Sequence, residues 1–451
     1  MDKIKQLRER KAAVKAVSAG IRTEIAELVD PDSFVELAAF SFSKNAFYDE
    51  EEKSEGVVTG FATVAGFPFY LVAQNFDVYS GGLSKANCDK IAKALNAAEK
   101  NDTPVIYLLH SHGVQVGEGV NVLEGIAQLL LKATQLKGTV PQYAYLAGEV
   151  YGSVAALASV CDCVFFTDKS VLSVNSPLVL AAKDGKNLKN TEVGGYTVLN
   201  GTSLPAVSVK DIKEAAAKIA AITELLTVPV KDAELNEPVP ALNQGVTTDA
   251  IVKMFEESVE IGANSSPEVK TVLARIGGVA AAAVVFDDVK LNCENVRKIK
   301  NFAEFACCYN LPFITFVDCE GVAASLAVNN SAVLKEIAEY LSMLDAVDTA
   351  KIAVVTGKAI GLGYALFAAK NAGFDYTFAF ATSRIALFDS AAGAQIEYSG
   401  DKRADAQKLA ELYADENADP VNAAKGGYLD DVIEPQFVKQ YLAAALGTLL
   451  G

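Results

Sequence analysis

The chain has 451 residues, 51% hydrophobic and 21% charged with 13 prolines, a composition that excludes a disordered or fibrous protein and suits two domains of roughly 200 residues each. Its 40 basic and 56 acidic side chains leave a net charge of -16. That field repels phosphate backbones and anionic lipid surfaces, so nucleic acid is not an expected partner, and any anionic ligand must be met by a local cluster of Lys, Arg and backbone amides.

Residues 1–27 alternate charge with Ile4, Leu7, Val14, Val17 and Ile21, which predicts one amphipathic helix docked outside the rest of the fold. The opening Met1-Asp2-Lys3-Ile4-Lys5 lacks the apolar core of a secretory signal, and no uncharged apolar run approaches the roughly 18 residues of a membrane span. A cytoplasmic protein is expected. Seven cysteines without a Cys-x-x-Cys pair fit reduced thiols rather than a zinc or disulfide framework, and Cys161 and Cys163 are expected on one face of a strand.

An internal repeat organises everything that follows. A helical pattern with Asn87, Lys90 and Ile91 leads into the strand Thr103–Leu109, which stops at a turn ending in Gly113. At a constant offset of 208, Asn295, Lys298 and Ile299 lead into Leu311–Val317 and a turn ending in Gly321. Next, Tyr143-Ala144-Tyr145-Leu146-Ala147-Gly148 and Gly152 match Ile352-Ala353-Val354-Val355-Thr356-Gly357 and Gly361 at 209, and Val171–Ser176 matches Ile385–Ser390 at 214. Three blocks in one order indicate duplication. Each copy reads as alternating strands and helices, which predicts right-handed βαβ units around a mostly parallel sheet. The proline-bearing stretch from Pro229 to Pro240 is the expected connector, placed between residues 227 and 247.

In both copies a strand runs into a glycine turn and then a helix of small residues, Gly148–Ala156 and Gly357–Ala365. The first amides of such a helix lack intrahelical acceptors and sit at the positive end of its dipole, a natural seat for an oxyanion. Neither turn has the spacing and acidic partner of a dinucleotide fingerprint, and the chain has no G-x-x-x-x-G-K-S/T loop, so direct ATP use is not expected. The only two histidines, His110 and His112, fall at the tip of the first loop. Strand alternation aims His112 at the same pocket, as a substrate contact or titratable group.

Several segments carry a more specific likeness: Gly56–Gly60, Ala73–Leu83, Gly117-Glu118-Gly119-Val120, Glu192-Val193-Gly194-Gly195 and Asn310–Asp318. In order and in both halves, from about Ile25 to about Glu397, the chain resembles the biotin-dependent carboxyltransferase family. The resemblance implies an α/β fold of two tandem crotonase-like (ClpP/crotonase) domains of repeated ββα units. It implies carboxyl transfer between biotin and an acyl-CoA of the propionyl/methylmalonyl, acetyl/malonyl or glutaconyl type, through an enolate held in two backbone oxyanion holes.

On this likeness residues 1–27 form the N-terminal helix, 28–235 the acyl-CoA domain and 236–451 the biotin domain. The first hole falls at Ser153 and Val154 and the second at Leu362 and Gly363, with Gly152, Gly361, His112, Gly113, Ser80, Gly81 and Gly82 binding substrate. No metal is implied. The family has glycine then alanine at the first hole, and the β-branched Val154 is expected to narrow the approach. Ser111-His112-Gly113-Val114-Gln115 lacks the family's arginine, and Gly321–Ser325 replaces its proline-glycine loop.

There is no Ala-Met-Lys-Met biotinylation motif, the methionines being Met1, Met254 and Met343, so biotin is expected on a separate biotin carboxyl carrier protein. A biotin carboxylase or a membrane decarboxylase subunit is the further partner implied, with the chain itself a homo-oligomer, dimer or hexamer. The alternatives are a non-catalytic scaffold or regulatory paralogue, and a crotonase-type hydratase or isomerase.

Overall fold

The computed structural model describes residues 2–41, 56–199, 204–233, 237–398 and 405–450. It divides into two compact units, Met1–Thr223 and Glu224–Gly451. Residues 234–236 of the expected connector lie outside the described residues.

The first unit opens with two helices where the sequence predicts one: α1 (Lys3–Val17) and α2 (Ala19–Leu28). The break is at Ser18, whose backbone leaves the helical region and whose Oγ donates to Val14 O at 3.0 Å and accepts from Arg22 Nε at 2.8 Å. A serine hydroxyl competing for helix carbonyls is a common cause of such a bend. Val14, Ile21, Ile25 and Leu28 are buried, whereas Ile4 and Leu7 remain exposed.

Behind these helices stands a sheet whose path runs from β1 (Val35–Leu37) through β2 (Val57–Val64), β3 (Phe67–Gln74), β4 (Val105–Ser111), β5 (Gln142–Tyr151) and β6 (Cys163–Phe166) to β8 (Ala206–Ser208). The short β7 (Val171–Ser173) pairs with the far end of β5. The first three strands are antiparallel and the rest parallel. The parallel links require crossovers, supplied by α3 (Lys85–Lys100), α4 (Val120–Leu136) and α5 (Ser153–Val160). Their apolar faces close one core with the sheet through Ile91, Leu95, Leu129, Leu146 and Val154.

The second unit repeats the plan. Its sheet runs β17 (Asp431–Ile433), β15 (Tyr376–Phe380), β14 (Lys351–Ile360), β13 (Phe313–Val322), β11 (Val279–Phe286), β10 (Val269–Ile276) and β9 (Glu257–Glu260). The short β12 (Val289–Leu291) and β16 (Arg384–Ala386) pair with β13 and β14. Helices α6 (Cys293–Cys308), α7 (Val333–Ala346) and α8 (Leu362–Phe367) make its crossovers.

The offsets read from sequence correspond to real equivalences: β4 to β13, β5 to β14, β7 to β16, α5 to α8. Lys90 and Lys298 are both buried, with Nζ donating to Val57 O at 2.8 Å and to Ser265 O at 2.7 Å respectively. Each thus satisfies carbonyls beside the antiparallel hairpin that starts its sheet. The part of the connector that is described is held to the second unit, with Lys231 N donating to Gly278 O and Ala280 N to Pro229 O, both at 2.8 Å. Cys161 caps the end of α5 while Cys163 begins β6, so the two do not share a strand face as expected, although both are buried.

Candidate active site

In the first unit β5 ends at Tyr151 and the chain reverses at Gly152, with φ 61° and ψ −127°. Only glycine adopts this conformation without strain, so it fixes where α5 begins. Gly152 N donates to Ser173 O at 3.1 Å and Ala156 N to Gly152 O at 3.1 Å. The amides of Ser153 and Val154 precede that first helical bond and lie where the dipole favours negative charge. The Val154 side chain is fully buried in the core, which corrects the expectation that it narrows the approach.

The other sequence-predicted residues of this unit gather around the same turn. Gly81 (φ 66°) lies so close to β4 that a Cβ there would stand 2.0 Å from His110 O. Ser80 O accepts from His112 N at 3.0 Å, and Gly81 O from Ser111 Oγ at 2.7 Å. Gly82 O accepts from Gln115 Nε2 at 3.2 Å. Gly113 (φ 112°) reaches across to the helix start, where a Cβ on Gly152 would be 3.9 Å from its Cα. The structure therefore brings Ser80, Gly81, Gly82, His112, Gly113, Gly152, Ser153 and Val154 onto one end of one sheet.

Four further residues, not singled out from sequence, complete this surface. His110 stacks on Phe76 with ring centroids 3.8 Å apart, and His112 meets the same ring edge-on at 5.0 Å, so the two histidines share a face as alternation predicts. His112 Nε2 lies 2.9 Å from Glu149 Oε2, and the other oxygen of Glu149 accepts from Asn190. Burial holds the His110 imidazole below its usual value, against the opposing pull of Glu149. Tyr151 packs 5.6 Å from the His112 ring, and its hydroxyl, closed off from solvent, has no partner among the described residues. Burial, then Glu149, push that phenol up to about 12.

The second unit builds the equivalent turn at Gly361 (φ 52°, ψ −118°), where Gly361 N donates to Ala386 O at 2.9 Å and Ala365 N to Gly361 O at 3.1 Å. Leu362 and Gly363 carry the first amides of this helix, ahead of its first helical bond. The Leu362 side chain is 44% exposed, while a Cβ on Gly363 would meet Cys319 Sγ at 2.8 Å, so α8 packs too closely on β13 for a larger residue. Beside Gly361 opens a cavity of about 530 Å³ lined by Tyr364, Leu387, Phe388, Ile396 and Tyr413.

On the neighbouring strand ends Lys358 Nζ bridges Asp288 at 2.9 Å and Glu320 at 2.6 Å, and its amide donates to Asp318 Oδ1 at 2.7 Å. Burial raises the Asp318 carboxyl above its usual range. Glu320 and Lys358 occupy the repeat positions of His112 and Glu149, with the acid and the base exchanged. Aligning the two copies for charge as well as for apolar pattern is the signal that would have found them.

Two parallel-rich sheets in one chain, each feeding a strand through glycine into a helix start, define a duplicated α/β scaffold. Residues 18–450 match the carboxyl transferase domain family. The chain belongs to that family, and its fold is the expected pair of tandem crotonase-like α/β domains. The propionyl-CoA carboxylase beta chain of Cereibacter sphaeroides is 27% identical over 95% of this chain and 90% of its own length. Methylmalonyl-CoA decarboxylase subunit alpha of Veillonella parvula is also 27% identical, over 99% of this chain and 96% of its own. Among solved structures, a transcarboxylase 12S hexamer with methylmalonyl-CoA and methylmalonic acid bound superposes with a TM-score of 0.90 at 22% identity, covering 99% of this chain and 95% of that one. No helix among the described residues is long and apolar enough to cross a membrane.

Proposed function

We propose that the protein moves a carboxyl group between biotin on a separate carrier protein and the α-carbon of an acyl-CoA of the propionyl/methylmalonyl, acetyl/malonyl or glutaconyl class. The observation that carries this reading is the pair of glycine-led helix starts in a chain that matches a carboxyl transferase family from end to end. The relatives named for propionyl-CoA and methylmalonyl-CoA chemistry support the propionyl/methylmalonyl class within this reading. Biotin, when bound, supplies the site to and from which the carboxyl group passes.

The first domain, residues 28–235, takes the thioester. The amides of Ser153 and Val154 receive its oxygen as it gains charge, Gly113 and Gly152 keep the backbone open around it, and His112 and the Ser80–Gly82 turn wall the acyl group. Removing one such amide donor costs about 3 kcal/mol of transition-state stabilisation. The second domain, residues 236–451, faces biotin. The amides of Leu362 and Gly363 stabilise its ureido oxygen, and the cavity beside Gly361 has the size and apolar lining for a bicyclic ring.

The partners are then a biotin carboxyl carrier protein, a biotin carboxylase or a membrane decarboxylase subunit, and further copies of the chain in a dimer or hexamer. The reaction needs no side-chain base of unusual pKa and no metal. Incubating the protein with free biotin and methylmalonyl-CoA or malonyl-CoA should release CO2 in a biotin-dependent way. Neither loss of the thioester's carboxyl group nor its transfer to biotin, under conditions where the protein is folded, would refute the assignment.

A further inference from the structure

Beside its glycine turn the first unit builds a chain of side chains that a pair of backbone oxyanion holes does not require. His112 Nε2 lies 2.9 Å from Glu149 Oε2, and Asn190 Nδ2 donates to the other oxygen, Glu149 Oε1. A carboxylate oxygen only accepts, so in the neutral ring Nε2 carries the proton and Nδ1 keeps a lone pair. The backbone beneath is pinned by His112 N to Ser80 O at 3.0 Å, and the imidazole stands 5.0 Å from the Phe76 ring and 5.6 Å from that of Tyr151. Tyr151 immediately precedes Gly152, and the Cα of Gly113 would lie 3.9 Å from a Cβ there, so both neighbours of the imidazole adjoin the turn that starts α5.

The other histidine is less suited to proton transfer. His110 is wedged between Phe76, 3.8 Å away, and Gly148, where a Cβ would stand 2.6 Å from its Nε2. The equivalent pair in the second unit, Glu320 and Lys358, does not serve either, because the Lys358 ammonium is bonded to Asp288 at 2.9 Å and to Glu320 at 2.6 Å. Two carboxylates hold its protons in place. The duplicated turns have therefore diverged, and the base lies at the turn assigned to the thioester.

We propose that His112 is a catalytic base that enolises a bound acyl-CoA in the absence of biotin, with Glu149 and Asn190 as its positioning residues. The α C–H bond breaks and its proton passes to Nδ1. The electron pair left on carbon forms the C=C bond of the enolate, and the C=O pair of the thioester moves onto oxygen, where the amides of Ser153 and Val154 receive it. The reverse step needs no further reactant, and because the His112 side chain is 45% exposed the imidazolium proton exchanges with solvent in between. This rests on the acyl-CoA reading and adds an activity to it.

The full chain, incubated in deuterium oxide with propionyl-CoA and no biotin, should place deuterium at the α-carbon, read by mass spectrometry. His112→Gln should slow this exchange about 10²–10⁴-fold while calorimetry shows propionyl-CoA still bound. Glu149→Gln should slow it comparably with KM unchanged: Asn190 Nδ2 takes the glutamine carbonyl, so the new NH2 group faces Nε2 and drives the imidazole proton onto Nδ1. Adding Asn190→Asp turns that glutamine round and should recover most of the rate, a rescue that a purely structural role would not give; this pair decides the matter even if His112→Gln does not fold. Wild-type protein that binds propionyl-CoA without exchanging its α-protons overturns the base and leaves the carboxyl-transfer reading standing. His112→Gln exchanging at the wild-type rate, or a double variant no faster than Glu149→Gln, also overturns it. Wild-type protein that binds no propionyl-CoA sinks both.

Discussion

Replacing Gly152 by alanine tests the first turn at a single atom. The residue sits at φ 61° and ψ −127°, a conformation costing an L-residue about 1–3 kcal/mol. Space does not limit the substitution, since the nearest atom to the new Cβ would be Gly113 Cα at 3.9 Å, so the whole penalty falls on the backbone. Relief requires φ to move toward negative values. That motion breaks Gly152 N to Ser173 O or Ala156 N to Gly152 O, both 3.1 Å, and displaces the amides of Ser153 and Val154. Loss of one oxyanion donor corresponds to about 10²–10³ in kcat. The informative control is Gly185→Ala, at φ 65° and ψ 13° with nothing within 4 Å of the new Cβ, which carries a similar backbone cost at a helix end elsewhere. Thermal melting should show both variants several degrees less stable, and a CO2-release assay with free biotin should show kcat falling only in Gly152→Ala. A Gly152→Ala protein with wild-type kcat would refute the role given to this helix start.

Gly361→Ala should behave likewise in the second unit, lowering kcat by about 10²–10³ while leaving affinity for propionyl-CoA unchanged, as a calorimetric titration would show. Tyr151→Phe removes a buried hydroxyl without a partner and should be neutral or stabilising by about 1–2 kcal/mol in chemical denaturation; a loss of stability would reveal a partner such as internal water. Burial lowers Lys298 to about 8. Between pH 8 and the unfolded value near 10.5 the native state holds fewer protons than the unfolded chain, so this group makes stability rise with pH across that window. Lys298→Met should abolish that part of the rise, measured as the difference between wild-type and variant denaturation midpoints. It should also destabilise at neutral pH, because the carbonyls of Ser265, Ser266 and Val269 lose their donor.

The duplication was legible in sequence because buried parallel strands and glycine turns repeat in type as well as in position. Gly113, Gly152, Gly321 and Gly361 all adopt positive φ, a backbone demand that glycine satisfies and that therefore survives as a visible pattern. That His110 and His112 meet one ring, Phe76, follows from their two-residue spacing on extended backbone. The break at Ser18 was not legible, since a serine inside an amphipathic pattern bends a helix only when its hydroxyl finds local carbonyls. Nor were Glu149, Phe76 and Asn190: they lie 36 to 78 residues from His112 in sequence, and only the packing of β3, β4, β5 and the helix Asn190–Gly194 brings them together. The inward turn of Val154 depended on which face of α5 meets the sheet, a register that four small residues in a row do not specify.

A crystal structure of the full chain with propionyl-CoA bound tests the central claim most directly. The account predicts the thioester oxygen about 2.7–3.1 Å from the amide nitrogens of Ser153 and Val154. A thioester seated elsewhere, or those two amides bonded to the protein itself in the complex, would contradict it.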